Sequence, residues 1–235
     1  MEEPRGSDGA AARLPPGLRA VLFDLDGTLL EIDGEGFLDA YVDAMTAWWR
    51  PEAPEAFRHA VMAASVPIFA PHPGQTNGAV FRRHLGRHLG LDADEVATAL
   101  RHFHEERLPG LHLAARPVPE APACVRRCLA AGLRVAVATT PIYLPEVIQL
   151  RLRWAGLTGM PWALITHSEN MHTCKPDPAY FAETAARLGL QPEQCLMVGD
   201  DPLQDGPCCQ TGMAALLRGR GWCGLADVAA ALMAR

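Results

Sequence analysis

The chain has 235 residues, 49% of them hydrophobic and 20% charged, a composition that fits a globular protein and excludes a disordered or collagen-like chain. Its 21 basic and 27 acidic residues give a formal net charge of −6, so no nucleic-acid partner is expected. The sequence has no apolar run of the roughly 18 residues that a membrane span needs and no secretion-signal pattern, which predicts a cytoplasmic location without membrane contact.

Short apolar runs alternate with helical patterns along most of the chain. After a Gly-, Pro- and Ala-rich stretch at 1–18, which we expect to be a flexible leader, a buried strand is predicted where an apolar run ends in Asp24. The predicted strands are 20–24, 133–138, 162–166, 195–198 and, more weakly, 213–217. The helical patterns between and after them are 119–131, 144–155, 178–188 and 225–234. This alternation predicts an α/β fold with a Rossmann-like parallel sheet.

Residues 33–116 interrupt that alternation with helical patterns alone. The expected helices are 36–49, 54–65, 76–89 and 92–108. The last one opens with Asp92 as an N-cap and has Glu95 at the capping-box position. We therefore predict an inserted all-helical cap domain at 33–116, with the α/β core formed by 19–32 and 117–235.

Polar residues follow the predicted strands where the strands end. In open parallel sheets a ligand binds beyond the carboxyl ends of the strands, so these side chains are expected to converge. Up to five neighbouring carboxylates cannot all stay ionised without a cation, and Mg²⁺ is the hard divalent ion that fits such a set of oxygen ligands. The candidate residues are Asp24, Asp26, Thr139, Thr140, Lys175, Asp200, Asp201 and Asp205.

Four short motifs carry a resemblance to a known family. The run DLDGTL begins at Asp24, an apolar strand ends in Thr139, KPDP begins at Lys175, and VGDD ends at Asp201. Together, and in this order, they resemble the four motifs of the haloacid dehalogenase superfamily. The resemblance covers the core and implies a helical cap inserted between the first and second motifs, as in phosphoglycolate phosphatase-like members.

The resemblance implies a role for each acid. Asp24 would be the nucleophile that forms an aspartyl-phosphate, and Asp26 the acid and base for the leaving group and for water. Mg²⁺ would be held by an Asp24 oxygen, the backbone carbonyl of Asp26 and the Asp200 side chain. Asp201 and Asp205 would bind it through water or orient its ligands. For Asp205, a solvated helix residue is the alternative interpretation.

The resemblance also assigns the phosphate-binding residues. Thr139 and Lys175, together with the backbone that follows at Thr140, would hold the phosphoryl oxygens. Capping of the next helix is the alternative for Thr139. The pattern departs from the family at Pro141, which has no N–H to offer, so the backbone around the phosphate is expected to differ in detail. Lys175 is the single lysine of the chain, beside 20 arginines.

The motifs favour Mg²⁺-dependent hydrolysis of a small phosphorylated metabolite, a phosphomonoester. Dehalogenases do not need the second aspartate, so Asp26 and the Asp200–Asp201 pair argue against that branch. Relatives that cleave carbon–phosphorus bonds use a cap lysine, and residues 33–116 contain none. A phosphomutase, or a catalytically idle protein that binds a partner, remains an alternative. The sequence predicts no oligomeric state.

The least regular part of the predicted cap is the Pro- and Gly-rich stretch at 67–78. His72, Gln75 and Asn77 in this stretch could present donors to a leaving group, and Arg83 lies on a basic face of the following helix that could attract an anionic substrate. His72 and Arg83 are the candidates for choosing the substrate. A plain connection between helices is the alternative for the stretch.

Overall fold

A computed structural model of the protein describes residues 14–111, 114–218, 224–225, 228 and 230. Residues 1–13 of the predicted leader lie outside this part, whereas Leu18 at its end is buried in the core. Most of the predicted helix 225–234 also lies outside it, although Leu225 and Val228 are buried.

Five parallel strands form the central sheet, in the order β5-β4-β1-β6-β7, and two short strands pair separately. In chain order the strands are β1 (Ala20–Phe23), β2 (Leu30–Glu31), β3 (Arg116–Pro117), β4 (Arg134–Val137), β5 (Leu164–Ile165), β6 (Cys195–Gly199) and β7 (Ala214–Leu217). All five predicted strands are thus present, and the α/β fold with a Rossmann-like parallel sheet is confirmed. The predicted strand at 162–166 is the most shortened, to the two residues of β5.

The helices follow the predicted patterns closely. They are α1 (Gly34–Trp49), α2 (Pro54–Ser65), α3 (Asn77–Leu89), α4 (Ala93–Arg107), α5 (Ala121–Ala130), α6 (Pro145–Trp154) and α7 (Pro178–Arg187). Short 3₁₀ helices lie at Val66–Phe69, Leu108–Gly110, Pro192–Gln194 and Gly206–Thr211. In the described part of the chain, no helix combines the length and apolar character needed to cross a bilayer.

Strand β1 lies in the middle of the sheet, and its side chains alternate between the two faces. Val21 and Phe23 pack into the larger apolar cluster, whereas Ala20 and Leu22 pack into a second cluster on the other face. All four are fully buried, because helices cover both faces of the sheet. The carboxyl ends of β1, β4 and β6 are therefore held side by side.

Helices α1–α4 form the inserted cap between β2 and β3. The capping box predicted for α4 is present, with the Asp92 side chain accepting from the backbone N–H groups of Asp94 and Glu95. Strands β2 and β3 pair antiparallel, Leu30 opposite Pro117. The chain consequently leaves the core and returns to it at one place.

A second set of contacts holds the cap to the core. The Asn77 side chain, fully buried at the start of α3, donates to the carbonyl oxygens of Pro141 at 3.0 Å and Thr173 at 3.2 Å. Nearby, Arg82 of α3 forms an ion pair of 2.5 Å with Glu169 of the core. The loop that these contacts fix leads directly to Lys175.

Candidate active site

A cavity of about 610 Å³ opens at the carboxyl ends of the strands, under the cap. The core supplies acids, hydroxyls and Lys175, and the cap side supplies the first turns of α1 and Phe69. The predicted site residues that line this cavity are Asp24, Asp26, Thr139, Thr140, Lys175, Asp200, Asp201 and Asp205.

Three of the carboxylates form a cluster. Asp24 directly follows β1, Asp200 follows β6, and Asp205 lies on the turn beyond it; their oxygens lie within 4.8 Å of one another. Asp24 and Asp205 are buried and Asp200 is half-buried. The interpretation of Asp205 as a solvated helix residue is therefore wrong, because its side chain is only 1% exposed.

Lys175 lies between two members of this cluster. Its Nζ contacts Oδ1 of Asp24 at 2.7 Å and Oδ1 of Asp205 at 2.6 Å, and its side chain is 1% exposed. Burial alone would lower the pKa of Lys175, but the charges of the two carboxylates outweigh burial and raise it. The ammonium therefore stays charged at neutral pH.

One ammonium does not balance three carboxylates. Burial, together with the charges of Asp205 and Asp200, raises the pKa of Asp24 to about 7 although Lys175 acts in the opposite direction. Burial and the charge of Asp205 also raise the pKa of Asp200. A divalent cation among these oxygens would relieve both effects, so the donor set fits Mg²⁺.

Two glycines permit the close approach of the acids to the backbone. Gly27 has a φ of +78°, and a Cβ there would overlap the Asp200 carboxylate. A Cβ on Gly199 would overlap the Asp205 carboxylate in the same way. Thr28, which the sequence analysis did not single out, donates its hydroxyl to Oδ1 of Asp200 at 3.2 Å.

Asp26 points to a different partner from the other acids. Its Oδ2 forms an ion pair with Nη2 of Arg151, whose side chain is 1% exposed. Its Oδ1 is buried and has no hydrogen-bond partner in the described part of the chain. Arg151 is not among the site residues predicted from the sequence, although it follows the buried Val147 and Ile148 by one helical turn, on the apolar face of α6.

Asp201 shapes the turn after β6. Its Oδ1 accepts from the backbone N–H of Leu203 at 2.7 Å and of Gln204 at 3.3 Å. Its own N–H donates to Oδ2 of Asp205 at 3.3 Å. This geometry favours orientation of Asp205 over direct contact with a metal.

Thr139 and Thr140 line the cavity after β4. The carbonyl oxygen of Thr139 accepts from the hydroxyl groups of Thr166 and Tyr180, each at 2.9 Å. Thr139 does not cap the next helix, because Leu144 occupies the N-cap of α6. Tyr180 also places its ring 6.0 Å from Nζ of Lys175, so it supports two of the predicted residues.

His72 and Arg83 lie outside the residues that line the cavity. The His72 ring nitrogens contact the carbonyl oxygens of Gln75 at 3.0 Å and Ile68 at 3.1 Å, and Arg83 donates to the Gln75 side chain. Both side chains thus brace the stretch at 67–78. Their part in substrate choice stays a prediction, and the geometry favours a structural role for them.

Comparisons with known proteins show which family the chain belongs to. The sequence profile described as haloacid dehalogenase-like hydrolase matches residues 18–207. A phosphoserine phosphatase of Thermus thermophilus is 30% identical over 218 residues, covering 80% of this chain and 83% of that protein. A phosphoglycolate phosphatase of Rhodospirillum rubrum is 27% identical over 213 residues, covering 87% and 80%.

A solved structure of similar fold is the 2-haloacid dehalogenase from Pseudomonas syringae. It superposes with a TM-score of 0.60 and 24% identity, covering 92% of this chain and 99% of that one. At this identity the likeness concerns the fold, which includes the parallel sheet and the helical cap. The profile match, the relatives and the converging motifs agree, and the chain belongs to the haloacid dehalogenase-like hydrolase family.

Proposed function

We propose that the protein is a Mg²⁺-dependent phosphatase that hydrolyses a small phosphomonoester through an aspartyl-phosphate on Asp24. The observation that carries the proposal is the buried cluster of Asp24, Asp200 and Asp205 with Lys175 paired to two of them. Such a cluster combines a nucleophile, a set of oxygen ligands and a fixed positive charge at the end of β1.

In the first step Asp24 attacks phosphorus, and the bond from phosphorus to the leaving oxygen breaks. Lys175 keeps one Asp24 oxygen in place, and its ammonium offsets negative charge on the phosphoryl group. Asp26 gives a proton to the leaving oxygen. Thr139 and Thr140 contribute polar groups at the side of the cavity where the phosphoryl group would lie.

In the second step Asp26 takes a proton from water, and the water oxygen attacks the aspartyl-phosphate. The phosphorus–oxygen bond to Asp24 breaks, which restores its carboxylate and releases phosphate. Asp24, Asp200 and the backbone carbonyl of Asp26 would hold Mg²⁺, with Asp201 and Asp205 in supporting positions. When bound, Mg²⁺ supplies positive charge that stabilises the phosphoryl oxygens in the transition state.

The acids of the site favour a phosphatase over the other activities. One relative, a (S)-2-haloacid dehalogenase of Pseudomonas putida, is 25% identical to this chain. A dehalogenase, however, needs neither Asp26 nor a set of metal ligands, so these acids argue against that activity. A catalytically idle protein would have no need of a buried nucleophile. A phosphomutase uses the same acids, and phosphate release to water distinguishes the two activities.

The names of the relatives and the size of the cavity support the proposed substrate class. Their names include phosphoserine, phosphoglycolate and N-acetylmuramic acid 6-phosphate phosphatases. A cavity of about 610 Å³ accommodates leaving groups of that range. We propose a small phosphorylated metabolite in the cytoplasm, enclosed by a cap that comprises residues 33–116.

Turnover of p-nitrophenyl phosphate with Mg²⁺, and then with a chelator, tests the proposal. We expect activity in the wild type that the chelator removes and that Mg²⁺ restores, together with loss of more than about 10³-fold in Asp24→Asn. Asp94→Asn, an exposed acid of α4, is the matched control and should retain activity. Equal rates in wild type and Asp24→Asn would refute the proposal.

A panel of phosphoserine, phosphoglycolate, sugar phosphates and nucleoside monophosphates then identifies the substrate. Each ester is incubated with the enzyme, and free phosphate and isomeric phosphate esters are both quantified. Phosphate release with no isomer supports hydrolysis. Accumulation of an isomeric ester without net phosphate release would identify a mutase instead.

A further inference from the structure

Arg151 is a buried cation that the steps above do not use. It lies on α6, its side chain is 1% exposed, and its Nη2 pairs with Oδ2 of Asp26. Its Nε and Nη1 have no hydrogen-bond partner in the described part of the chain. Burial of a charged guanidinium with unpaired nitrogens costs free energy of folding. This cost indicates that Arg151 has a role at the site.

Two aromatic rings lie against this guanidinium. The Arg151 Cζ lies 4.8 Å from the ring centre of Phe37 and 5.1 Å from that of Tyr143. Phe37 belongs to cap helix α1, and Tyr143 to the core loop after β4. The two rings are in edge contact with each other, with centres 5.3 Å apart. Cap and core together therefore set where the charged end of Arg151 can lie.

The pair with Asp26 leaves the two oxygens of that carboxylate unequal. Oδ2 is engaged by the guanidinium, whereas Oδ1 is buried without a partner. Asp26 lines the catalytic cavity and stands apart from the cluster of Asp24, Asp200 and Asp205. Without Arg151 the carboxylate would be free to turn toward other groups, since nothing else in the described residues binds it.

We propose that Arg151 is a positioning residue, which holds the Asp26 carboxyl group through Oδ2 at the wall of the cavity, where this group exchanges protons with the leaving group and water. The inference rests on the proposed phosphatase function. As the bond from phosphorus to the leaving oxygen breaks, the proton of the Asp26 carboxyl group passes to that oxygen. The carboxylate then formed stays paired with Arg151 until it accepts a proton from water.

Leaving-group dependence separates this role from a structural one. A p-nitrophenolate departs without a proton, whereas an alkoxide needs one, so a displaced acid affects alkyl phosphates selectively. We expect Arg151→Met to lower kcat/KM for the alkyl phosphate that wild type hydrolyses fastest by on the order of 10²-fold. The loss on p-nitrophenyl phosphate should stay below about 10-fold, because only positioning of the acid has changed.

Matched variants make the test specific. Arg151→Lys keeps the charge without the flat guanidinium. The difference between its loss of kcat/KM on the alkyl phosphate and on p-nitrophenyl phosphate should therefore be smaller than for Arg151→Met. Arg153 is an exposed arginine of the same helix, and Arg153→Met should show no difference in kcat/KM loss between the two esters. In an Asp26→Asn background, Arg151→Met should change alkyl phosphate turnover by less than about 3-fold, because the residue acts through Asp26.

Several outcomes would overturn the inference. Equal losses on the two esters would indicate a merely structural arginine, and unchanged rates on both would show that Asp26 needs no such support. Additive losses in the double variant would separate Arg151 from Asp26. Asp24-dependent turnover of p-nitrophenyl phosphate, with no difference between esters, would reject the role of Arg151 while the proposed phosphatase function stands.

Discussion

The two sides of the catalytic cavity are built differently. On the core side, charged groups contact one another inside the protein: Lys175 binds Asp24 and Asp205, and both acids are buried. On the cap side, the wall includes Leu38 and Phe69, and Phe69 is 56% exposed. In the proposed reaction the core side would hold one kind of group, a phosphoryl, in one position, and the cap side would offer apolar surface to different leaving groups.

Among the variants that compare the two sides, the largest effect is expected from Lys175→Arg, which keeps the charge on the core side but changes its shape. A planar guanidinium cannot occupy the space of an ammonium that contacts two buried carboxylates at once. We expect kcat on p-nitrophenyl phosphate to fall by on the order of 10³-fold.

The control for this variant is Arg153→Lys, which exchanges the same two residue types at an exposed position. Its activity should equal that of wild type. Near-normal turnover by Lys175→Arg would show that the core side tolerates a different cation, and the contrast between the two sides would then disappear.

Gly27→Ala should have the next largest effect. A methyl group there would overlap the Asp200 carboxylate, so the acid must shift from its position in the cluster with Asp24 and Asp205. We expect kcat to fall by about 10- to 100-fold and the Mg²⁺ concentration needed for half-maximal activity to rise, as for a misplaced metal-ligating group.

Gly132→Ala separates this overlap from backbone strain. Gly132 has a φ of +75°, close to the +78° of Gly27, but nothing lies within 4 Å of the position of its Cβ. Both variants should lower the melting temperature, and only Gly27→Ala should lower kcat. A similar loss of kcat in both would attribute the effect to strain alone.

Asn77→Ala tests how firmly the cap side is attached to the core. It removes the hydrogen bonds to the carbonyl oxygens of Pro141, which is buried, and Thr173, which is half-buried. We expect a loss of about 1–3 kcal/mol in the free energy of unfolding, measured by denaturant titration. Gln210→Ala, an exposed amide, should lose almost nothing.

The smallest effect is expected on the cap wall itself. Phe69→Ala removes apolar surface from the cavity, so KM for the larger esters of the panel should rise by about 3- to 10-fold, corresponding to roughly 1 kcal/mol. KM for phosphoglycolate should hardly change. Arg83→Ala should alter these ratios less than Phe69→Ala does, because Arg83 contacts Gln75 instead of the cavity.

The core side could be predicted from the sequence because its residues follow strands. Once Asp24, Lys175 and Asp200 are assigned to the carboxyl ends of parallel strands or to the loops after them, sheet geometry brings them together whatever the distance along the chain. The period of the apolar positions likewise predicted the order of strands and helices along the chain, although β5 is shorter than its apolar run suggested.

The rest depends on how side chains pack between elements. Arg151 is one of several arginines in the sequence, and only the packing of α6 against the core and α1 turns it toward Asp26. His72 resembles a donor in an exposed loop, yet its ring folds back onto Gln75 and Ile68. Neither arrangement follows from periodicity, because each needs the positions of at least two elements.

The pairing of β2 with β3 has a consequence for engineering. Because Leu30 lies opposite Pro117, the chain leaves the core and returns to it at neighbouring positions. The entropic cost of closing the loop that an insert forms there depends little on the length of the insert. A cap from another family member could therefore be grafted between these two strands. Such a graft must also bring an equivalent of Asn77, since without it the transplanted helices would lose their second anchor beside the loop that leads to Lys175.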